Sequence, residues 1–247
     1  PANHQGVPFR TQSAEPVADL HTPAGISPAA RSADMDLLAS MNRGIARAHP
    51  EEGAFAARLR SYELAARMQV SIPEATDLDS EPESIKRLYG LDEPSNKGFG
   101  RNCLMARRLL ERGVRFVQIL NGGAFGSPRI NWDGHEGIKE NHDTQAATMD
   151  QPVAALIQDL KQRGMLEDTL VVWGGEFGRT PRINSTNGRD HYPRVFSVAM
   201  AGGGMKKGFV YGKSDALGGE PDENPVGPED LARTMYRLLG INASKRI

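Results

Sequence analysis

From residue 98 onward, short apolar segments alternate with segments in which apolar residues recur at helical spacing. Four apolar segments bounded by glycine or polar residues predict strands: 114–120, 169–173, 195–200 and 209–211. Three segments predict helices: 103–112, 149–160 and 228–238. Because strands and helices that alternate along a chain pack as layers, the pattern indicates an α/β domain with a mainly parallel central sheet flanked by helices.

The first 97 residues have a different character. Prolines punctuate residues 1–31, which predicts an extended polar arm. Three helices are predicted after it: one capped by Ser32, one over residues 55–68, and one over residues 85–89 that ends at Gly90. We therefore expect an extended arm and helical region over residues 1–97 and an α/β core over residues 98–247, within the same domain.

Composition excludes several classes of function. The chain has 30 Lys and Arg against 31 Asp and Glu, so it lacks the basic excess of a nucleic-acid-binding domain. No apolar run reaches the length of about 18 residues that a membrane span needs. Cys103 is the single cysteine, which excludes an internal disulfide and a multi-thiolate zinc site. The chain begins at Pro1 rather than Met, so we expect a processed product or an excised piece.

Polar clusters follow the first two predicted strands of the core, in the loops where α/β sheets usually carry their chemistry. Six of their side chains are carboxylates or imidazoles and are candidate metal ligands: Asp133, His135, His142, Glu176, Asp190 and His191. Such a set suits divalent ions such as Zn²⁺ or Mn²⁺. Two ions about 4 Å apart would clamp a phosphoryl or sulfuryl group. Arg179 is a candidate to bind the anionic substrate through its forked guanidinium.

The same residues also suit a structural role. Asp in loops commonly accepts hydrogen bonds from nearby backbone amides, and Arg179 can pair with Glu176, three residues away. The glycines around them can serve only to make turns. The sequence has no P-loop, no GxGxxG after a strand and no GxSxG, which leaves nucleotide-binding and α/β-hydrolase serine functions without support.

Several segments together resemble one bacterial family. They are TLVVWGGEFGRTP at 169–181, GRDHYP at 188–193, NWDGH at 131–135, the opening PANHQGVPFR, SYELAARMQ and FGRNCLMARRLLERGVRFVQI. The family is the domain of unknown function 1501, abundant in planctomycetes and often labelled sulfatase. The resemblance implies an alkaline-phosphatase-like fold, metal-dependent hydrolysis of phosphate or sulfate esters, and export to the periplasm or the extracellular space.

The chain departs from the pattern of that superfamily in three places. The metal-bound nucleophile, which follows an N-terminal strand, is expected upstream of this chain, and Cys103 lacks the Cys-x-Pro-x-Arg context of a sulfatase nucleophile. The usual Asp-His-Gly motif is replaced by Glu176-Phe177-Gly178, in which Phe177 cannot bind a metal. The end of the family domain beyond the last helix is also expected to be missing, so the fold would be incomplete.

These observations lead to one main hypothesis and two alternatives. The first is part of a metal-dependent phosphatase- or sulfatase-like hydrolase that uses Zn, Mn or Ca and acts on a small-molecule or glycan ester, and the chain alone is expected to be inactive. The second is a non-catalytic exported protein that binds a glycan or an anionic ligand. The third is a structural domain that binds no metal. Under the first, metal loss is expected below about pH 6, where imidazole ligands become protonated.

Overall fold

The computed structural model describes residues 7–13, 16–17, 25–49, 72–122 and 130–243. The chain divides into two compact units, Pro1–Glu81 and Pro82–Ile247. The predicted helix over residues 55–68 and most of the predicted arm lie outside the described residues. No described helix combines the length and the apolar character that would let it cross a bilayer.

The first unit contains the long helix α1, Pro28–Ala48. It begins at Ser27 rather than at the predicted cap Ser32, because the Ser27 hydroxyl accepts a hydrogen bond of 3.1 Å from the amide of Ala30. Pro28, at the first helical position, has no amide hydrogen to leave unpaired and its φ angle already suits a helix. The helix ends before Pro50, as predicted. Residues 72–76 are also helical, and a 3-10 turn follows at Leu78–Ser80.

The second unit contains four described helices, and a glycine with a positive φ angle follows the end of each. The helices are α2 (Glu83–Leu88), α3 (Lys97–Glu111), α4 (Ile138–Gln162) and α5 (Pro228–Leu238). Gly90, Gly113 and Gly164 follow the first three with φ angles of 69°, 82° and 70°. Glycine reaches this left-handed conformation without steric cost, so it closes the last turn of a helix. The four helices predicted in this unit are therefore confirmed, although α4 begins well before residue 149.

The core of the second unit lies between α3 and α4. The buried apolar side chains of the two helices are Cys103, Leu104, Met105, Ala106, Leu109, Met149, Ala155, Leu156 and Leu160. Removing a Leu-sized side chain from water contributes about 1.5–3 kcal/mol, so this contact is the main source of stability in the unit.

A buried charge pair crosses the same helix interface. The Arg107 Nε and Asp159 Oδ2 atoms lie 3.0 Å apart, and both side chains are 2% exposed. Tyr89 donates a 3.0 Å hydrogen bond to Asp159, while Arg163 contacts the other carboxylate oxygen at 2.7 Å. Burial, and then the negative charge of Asp159, raises the pKa of Tyr89 well above its ordinary value. Asp159 thus connects three elements through polar contacts that water cannot replace.

The strands form three antiparallel pairs. They are β1 (Leu170–Trp173) with β4 (Ala199–Gly202), β2 (Gly178–Arg179) with β3 (His191–Tyr192), and β5 (Lys213–Ser214) with β6 (Pro221–Glu223). The predicted strand over residues 169–173 is confirmed as β1. The chain is thus a mixture of helices and strands, but the predicted mainly parallel sheet is wrong for the described residues, in which every strand pair is antiparallel and two-stranded.

Three other strand predictions need correction. Residues 114–120 form no ladder with another described strand, and Phe116 and Leu120 are 69% and 76% exposed. Residues 209–211 are likewise outside any strand, and the strand predicted over 195–200 is displaced to β4. An apolar run makes a strand only when a second strand accepts and donates its backbone hydrogen bonds, and composition does not reveal that second strand.

The buried thiol gives a direct test of this core. Cys103 is 1% exposed, and burial raises the pKa of its thiol to about 12. Because the thiolate is the reactive form, we expect a disulfide reagent at about pH 8 to leave the folded protein unmodified. One thiol per chain should react once denaturant is added. Rapid reaction in the absence of denaturant would contradict the position of α3 in the core.

The charge pair gives a second test. Replacing Asp159 by Ala removes one of the two carboxylates that contact the buried Arg107 side chain, which keeps its 2.7 Å contact with Glu111. The change also removes the acceptor of the Tyr89 hydroxyl, so we expect the free energy of unfolding to fall by about 3 kcal/mol. Asp143→Ala, on the exposed side of the same helix, removes an ion pair with Lys139 that solvent screens, and it should cost less than about 1 kcal/mol. Urea unfolding of both variants measures the difference, and equal losses would contradict the buried network.

Candidate metal site

The short pair of β2 with β3 positions three of the predicted site residues. Its register places Arg179 opposite His191 and Gly178 opposite Tyr192. The amide of Thr180 then donates to the carbonyl of Asp190 at 2.9 Å, which continues the pairing for one more residue. Two parts of the segment that follows the predicted strand over residues 169–173 are thereby held side by side.

The loop at residues 131–137 lies against the end of this pair. The Asn131 carboxamide oxygen accepts a 2.8 Å hydrogen bond from the amide of Asp133, which makes a tight turn. Gly134 follows with a φ angle of 57°, and its carbonyl accepts from the Arg189 amide at 3.0 Å. The turn brings Asp133 and His135 to the same place as His191.

Asp133, His135 and His191 form the candidate metal site, which we call the triad. The His191 Nε2 atom lies 2.7 Å from Asp133 Oδ1 and 3.2 Å from His135 Nε2. The third side of the triangle, from His135 Nε2 to Asp133 Oδ1, is 3.3 Å. Each of the three side chains is about half exposed, so a dissolved ion can reach the triad from solvent.

Arg179 lies beside the triad. Its Nε donates to the backbone carbonyl of Asp133 at 3.0 Å, and its Nη2 contacts the Asp133 carboxylate at 3.1 Å. The same Nη2 is 3.5 Å from Glu176, so the predicted pairing with Glu176 is also present. Glu176 therefore contacts the guanidinium, and it is not a member of the triad.

Asp190 lies behind His135 and not within the triad. Its Oδ1 is 3.1 Å from His135 Nδ1, the ring nitrogen that faces away from His191, and it accepts a 3.2 Å hydrogen bond from Asn184. Those two hydrogen bonds hold the pKa of Asp190 below its usual range, and the bond from His135 has the larger effect. The carboxylate is therefore charged at neutral pH.

His142 is separate from the triad as well. Its Nε2 donates to the backbone carbonyl of Trp132 at 3.2 Å, and the two rings lie 5.2 Å apart. The imidazole thus supports the turn that contains Asp133. The structure brings the potential ligand atoms of three of the six predicted ligands close together. The other three make different contacts: Glu176 with Arg179, Asp190 with His135, and His142 with Trp132.

The ionisation of Asp133 reflects two opposing effects. Partial removal of water raises its pKa, but the hydrogen bond from His191 and the nearby charges of His135, His191 and Arg179 outweigh this, so the net shift is downward. An ionised carboxylate beside two imidazoles offers the donor atoms that divalent transition-metal ions bind.

The family model described as "Protein of unknown function (DUF1501)" matches residues 1–247. The chain belongs to the DUF1501 family. This confirms the family that the segments around the triad predicted, while the model's description assigns no activity to it. No curated protein and no solved structure matches this DUF1501 chain.

The two loops of the DUF1501 site are held together by Asn184 and Thr186, which the sequence did not single out. Asn184 and Thr186 both donate to the backbone carbonyl of His135, at 3.0 and 2.8 Å. A Cβ atom on Gly188 would lie only 2.0 Å from that oxygen, so this position requires glycine. The ring of Phe177 packs edge-on against His191 at 4.6 Å. The run Asn-Ser-Thr-Asn-Gly was the available signal, since such residues bond backbone groups in turns.

The coupling of Asp133 to His191 can be tested by titration. We expect His191→Ala to raise the pKa of the Asp133 carboxyl, because it removes the hydrogen bond and the positive charge that favour the ionised form. His142→Gln, in which the amide can still donate to the Trp132 carbonyl, should leave that pKa unchanged. Carbon-13 NMR of labelled carboxyl groups, without added metal, measures both variants. An unchanged Asp133 titration in His191→Ala would contradict the contact.

Proposed function

We propose that this DUF1501 chain supplies the metal-binding and anion-binding residues of a phosphatase- or sulfatase-like ester hydrolase. The observation that carries the proposal is the triad: three donor atoms from two loops lie 2.7, 3.2 and 3.3 Å from one another. Export to the periplasm or the extracellular space, and a small-molecule or glycan ester as substrate, are parts of the same proposal.

The geometry of the triad fits a bound divalent ion. Bonds of 2.0–2.2 Å from Zn²⁺ to nitrogen and oxygen, at tetrahedral angles, separate the donor atoms by roughly 3.3 Å. Two of the observed separations, 3.2 and 3.3 Å, are close to that value. The third, 2.7 Å between His191 Nε2 and Asp133 Oδ1, is a hydrogen bond, so His191 would have to release that proton and move away from Asp133 to act as a ligand. Three protein ligands also leave the fourth position open, which is the arrangement of catalytic zinc sites. Two imidazoles and one carboxylate suit Zn²⁺ or Mn²⁺ better than Ca²⁺, which prefers six to eight oxygen ligands.

Arg179 supplies the second requirement of the reaction, which is a positive charge beside the metal ion. When bound, the metal ion would polarise a phosphoryl or sulfuryl oxygen as a Lewis acid. The guanidinium of Arg179, anchored to Asp133 and Glu176, places a permanent positive charge at the edge of the triad. All three guanidinium nitrogens already donate to Asp133, Gly178 or Glu176. Ester oxygens would therefore have to share or displace these contacts to bind Arg179, which would then stabilise the charge that grows on them.

Specific contacts favour a non-catalytic binding protein as the second candidate. The Phe177 ring packs on His191 at the position where the superfamily motif carries a histidine. Two hydroxyls of this loop cluster donate to backbone carbonyls, Thr180 to Arg182 at 2.9 Å and Thr186 to His135 at 2.8 Å. Both hydroxyls are thus used in loop structure. Such a protein would hold a glycan or an anionic ligand at Arg179 without cleaving it.

Metal analysis of the protein, purified without a polyhistidine tag, tests the shared part of both candidates. We expect about one Zn or Mn ion per chain, as in other three-ligand sites, because the triad faces a single point. His191→Ala should lose at least about nine-tenths of that metal, since it removes one of three ligands. His142→Gln is the matched control and should retain the full content.

Hydrolysis of aryl phosphates and aryl sulfates then separates the two candidates, and it is measured on the protein as its native host makes it, because this chain alone is expected to be inactive. Metal-dependent turnover that is lost in Arg179→Met supports the hydrolase. Stoichiometric metal without turnover, together with phosphate binding that Arg179→Met abolishes, supports the binding protein. Equal metal content in the parent and His191→Ala proteins, or no metal after incubation with excess ion, would contradict both.

A further inference from the structure

The two ring nitrogens of His135 face different carboxylates. Nδ1 lies 3.1 Å from Asp190, and Nε2 lies 3.2 Å from His191 and 3.3 Å from Asp133 within the triad. A neutral imidazole carries one proton, so only one of the nitrogens can present a lone pair. Which nitrogen holds the proton decides whether His135 can act as a ligand in the triad.

The Asp133 carboxylate already accepts hydrogen bonds from two other side chains at the triad. His191 Nε2 lies 2.7 Å from the Asp133 carboxylate and Arg179 donates to the same oxygen at 3.1 Å. Among the described residues, the Asn184 amide is the one other side-chain donor to the Asp190 oxygen that faces His135. The arrangement that satisfies both carboxylates therefore puts the His135 proton on Nδ1 and leaves the lone pair of Nε2 directed at the triad.

Asp190 is also fixed in place by its surroundings. Its backbone amide donates to the Thr180 hydroxyl at 3.1 Å and its carbonyl accepts from the Thr180 amide at 2.9 Å. Asn184 then joins the two partners, because its carboxamide donates both to the Asp190 carboxylate at 3.2 Å and to the His135 carbonyl at 3.0 Å. The carboxylate can thus hold the imidazole in one orientation.

We infer that Asp190 is a positioning residue, which orients His135 and fixes its proton on Nδ1, and is not a metal ligand. This inference rests on the proposed function for the identity of the triad as a metal site. It changes the role that the sequence predicted for Asp190, from direct ligand to the carboxylate behind the ligand. Partners of this kind commonly change metal affinity 10–100-fold without changing the number of ions bound.

The first arm of the test uses the metal-free protein. Long-range proton–nitrogen NMR of the ¹⁵N-labelled chain at about pH 8, where imidazoles are ordinarily neutral, reports the protonated nitrogen of each histidine. Loss of one set of signals in His135→Gln assigns that residue. We expect the Nδ1–H form in the parent protein, a shift toward the Nε2–H form in Asp190→Ala, and retention of Nδ1–H in Asp190→Asn, whose amide oxygen still accepts.

The second arm measures Zn²⁺ affinity by competition with a chelator. We expect Asp190→Ala to bind one ion per chain with a Kd raised about 10–100-fold, and Asp190→Asn to lie between it and the parent protein. His191→Ala, by contrast, should lose stoichiometric binding. Amide NMR spectra confirm that each variant is folded before either arm is interpreted.

The outcomes separate the inference from the proposed function. Loss of stoichiometric binding in Asp190→Ala, with the parent protein binding one ion, makes Asp190 a ligand and overturns the inference. An unchanged His135 proton position in folded Asp190→Ala also overturns it. If the parent protein binds no metal, the proposed function fails, and so does the statement that Asp190 supports a metal ligand. A shift of the His135 proton in Asp190→Ala would in that case still establish that Asp190 orients His135.

Discussion

The close approach of Gly188 to the backbone carbonyl of His135 is the contact on which the candidate site depends. A side chain at Gly188 would collide with that oxygen, and the same oxygen accepts hydrogen bonds from Asn184 and Thr186. This carbonyl, together with the hydrogen bonds from the Arg189 amide to Gly134 and from the Gly137 amide to Thr186, fixes two loops that are about 50 residues apart in sequence. The side chains of His135 and His191 face each other because their backbones are held together in this way.

Stability and site chemistry are placed in different parts of the second unit. The buried pair of Arg107 and Asp159 lies in the helical core, where losing either partner leaves a charge that water cannot reach. The triad residues are about half exposed, so their desolvation cost is small and water can solvate them without an ion. The proposed site can therefore gain or lose a metal ion without unfolding the helices that support it, which distinguishes it from small metal-dependent domains.

Features determined by neighbouring residues were predictable from the sequence, and those that need a distant partner were not. Gly90, Gly113 and Gly164 end their helices because the requirement for a positive φ angle is local. Residues 114–120 have the composition of a strand, but pairing depends on a second strand that composition does not specify. The same limit applies at the site. Residue type identified Asp133, His135 and His191, and sequence spacing predicted the pairing of Glu176 with Arg179. Only the fold shows that Asp190 and His142 contact His135 and Trp132.

This distribution of contacts bears on the number of ions that the proposed site can hold. A clamp of two ions needs two sets of ligands, and the described residues gather one set of three. Glu176 neutralises part of the Arg179 charge, and Asp190 lies on the far side of His135, so neither completes a second set. In a site with one ion, the second positive charge that an ester dianion requires must come from the protein. Arg179 is at the edge of the triad and carries that charge at any physiological pH, so the proposed chemistry depends on the guanidinium as much as on the metal.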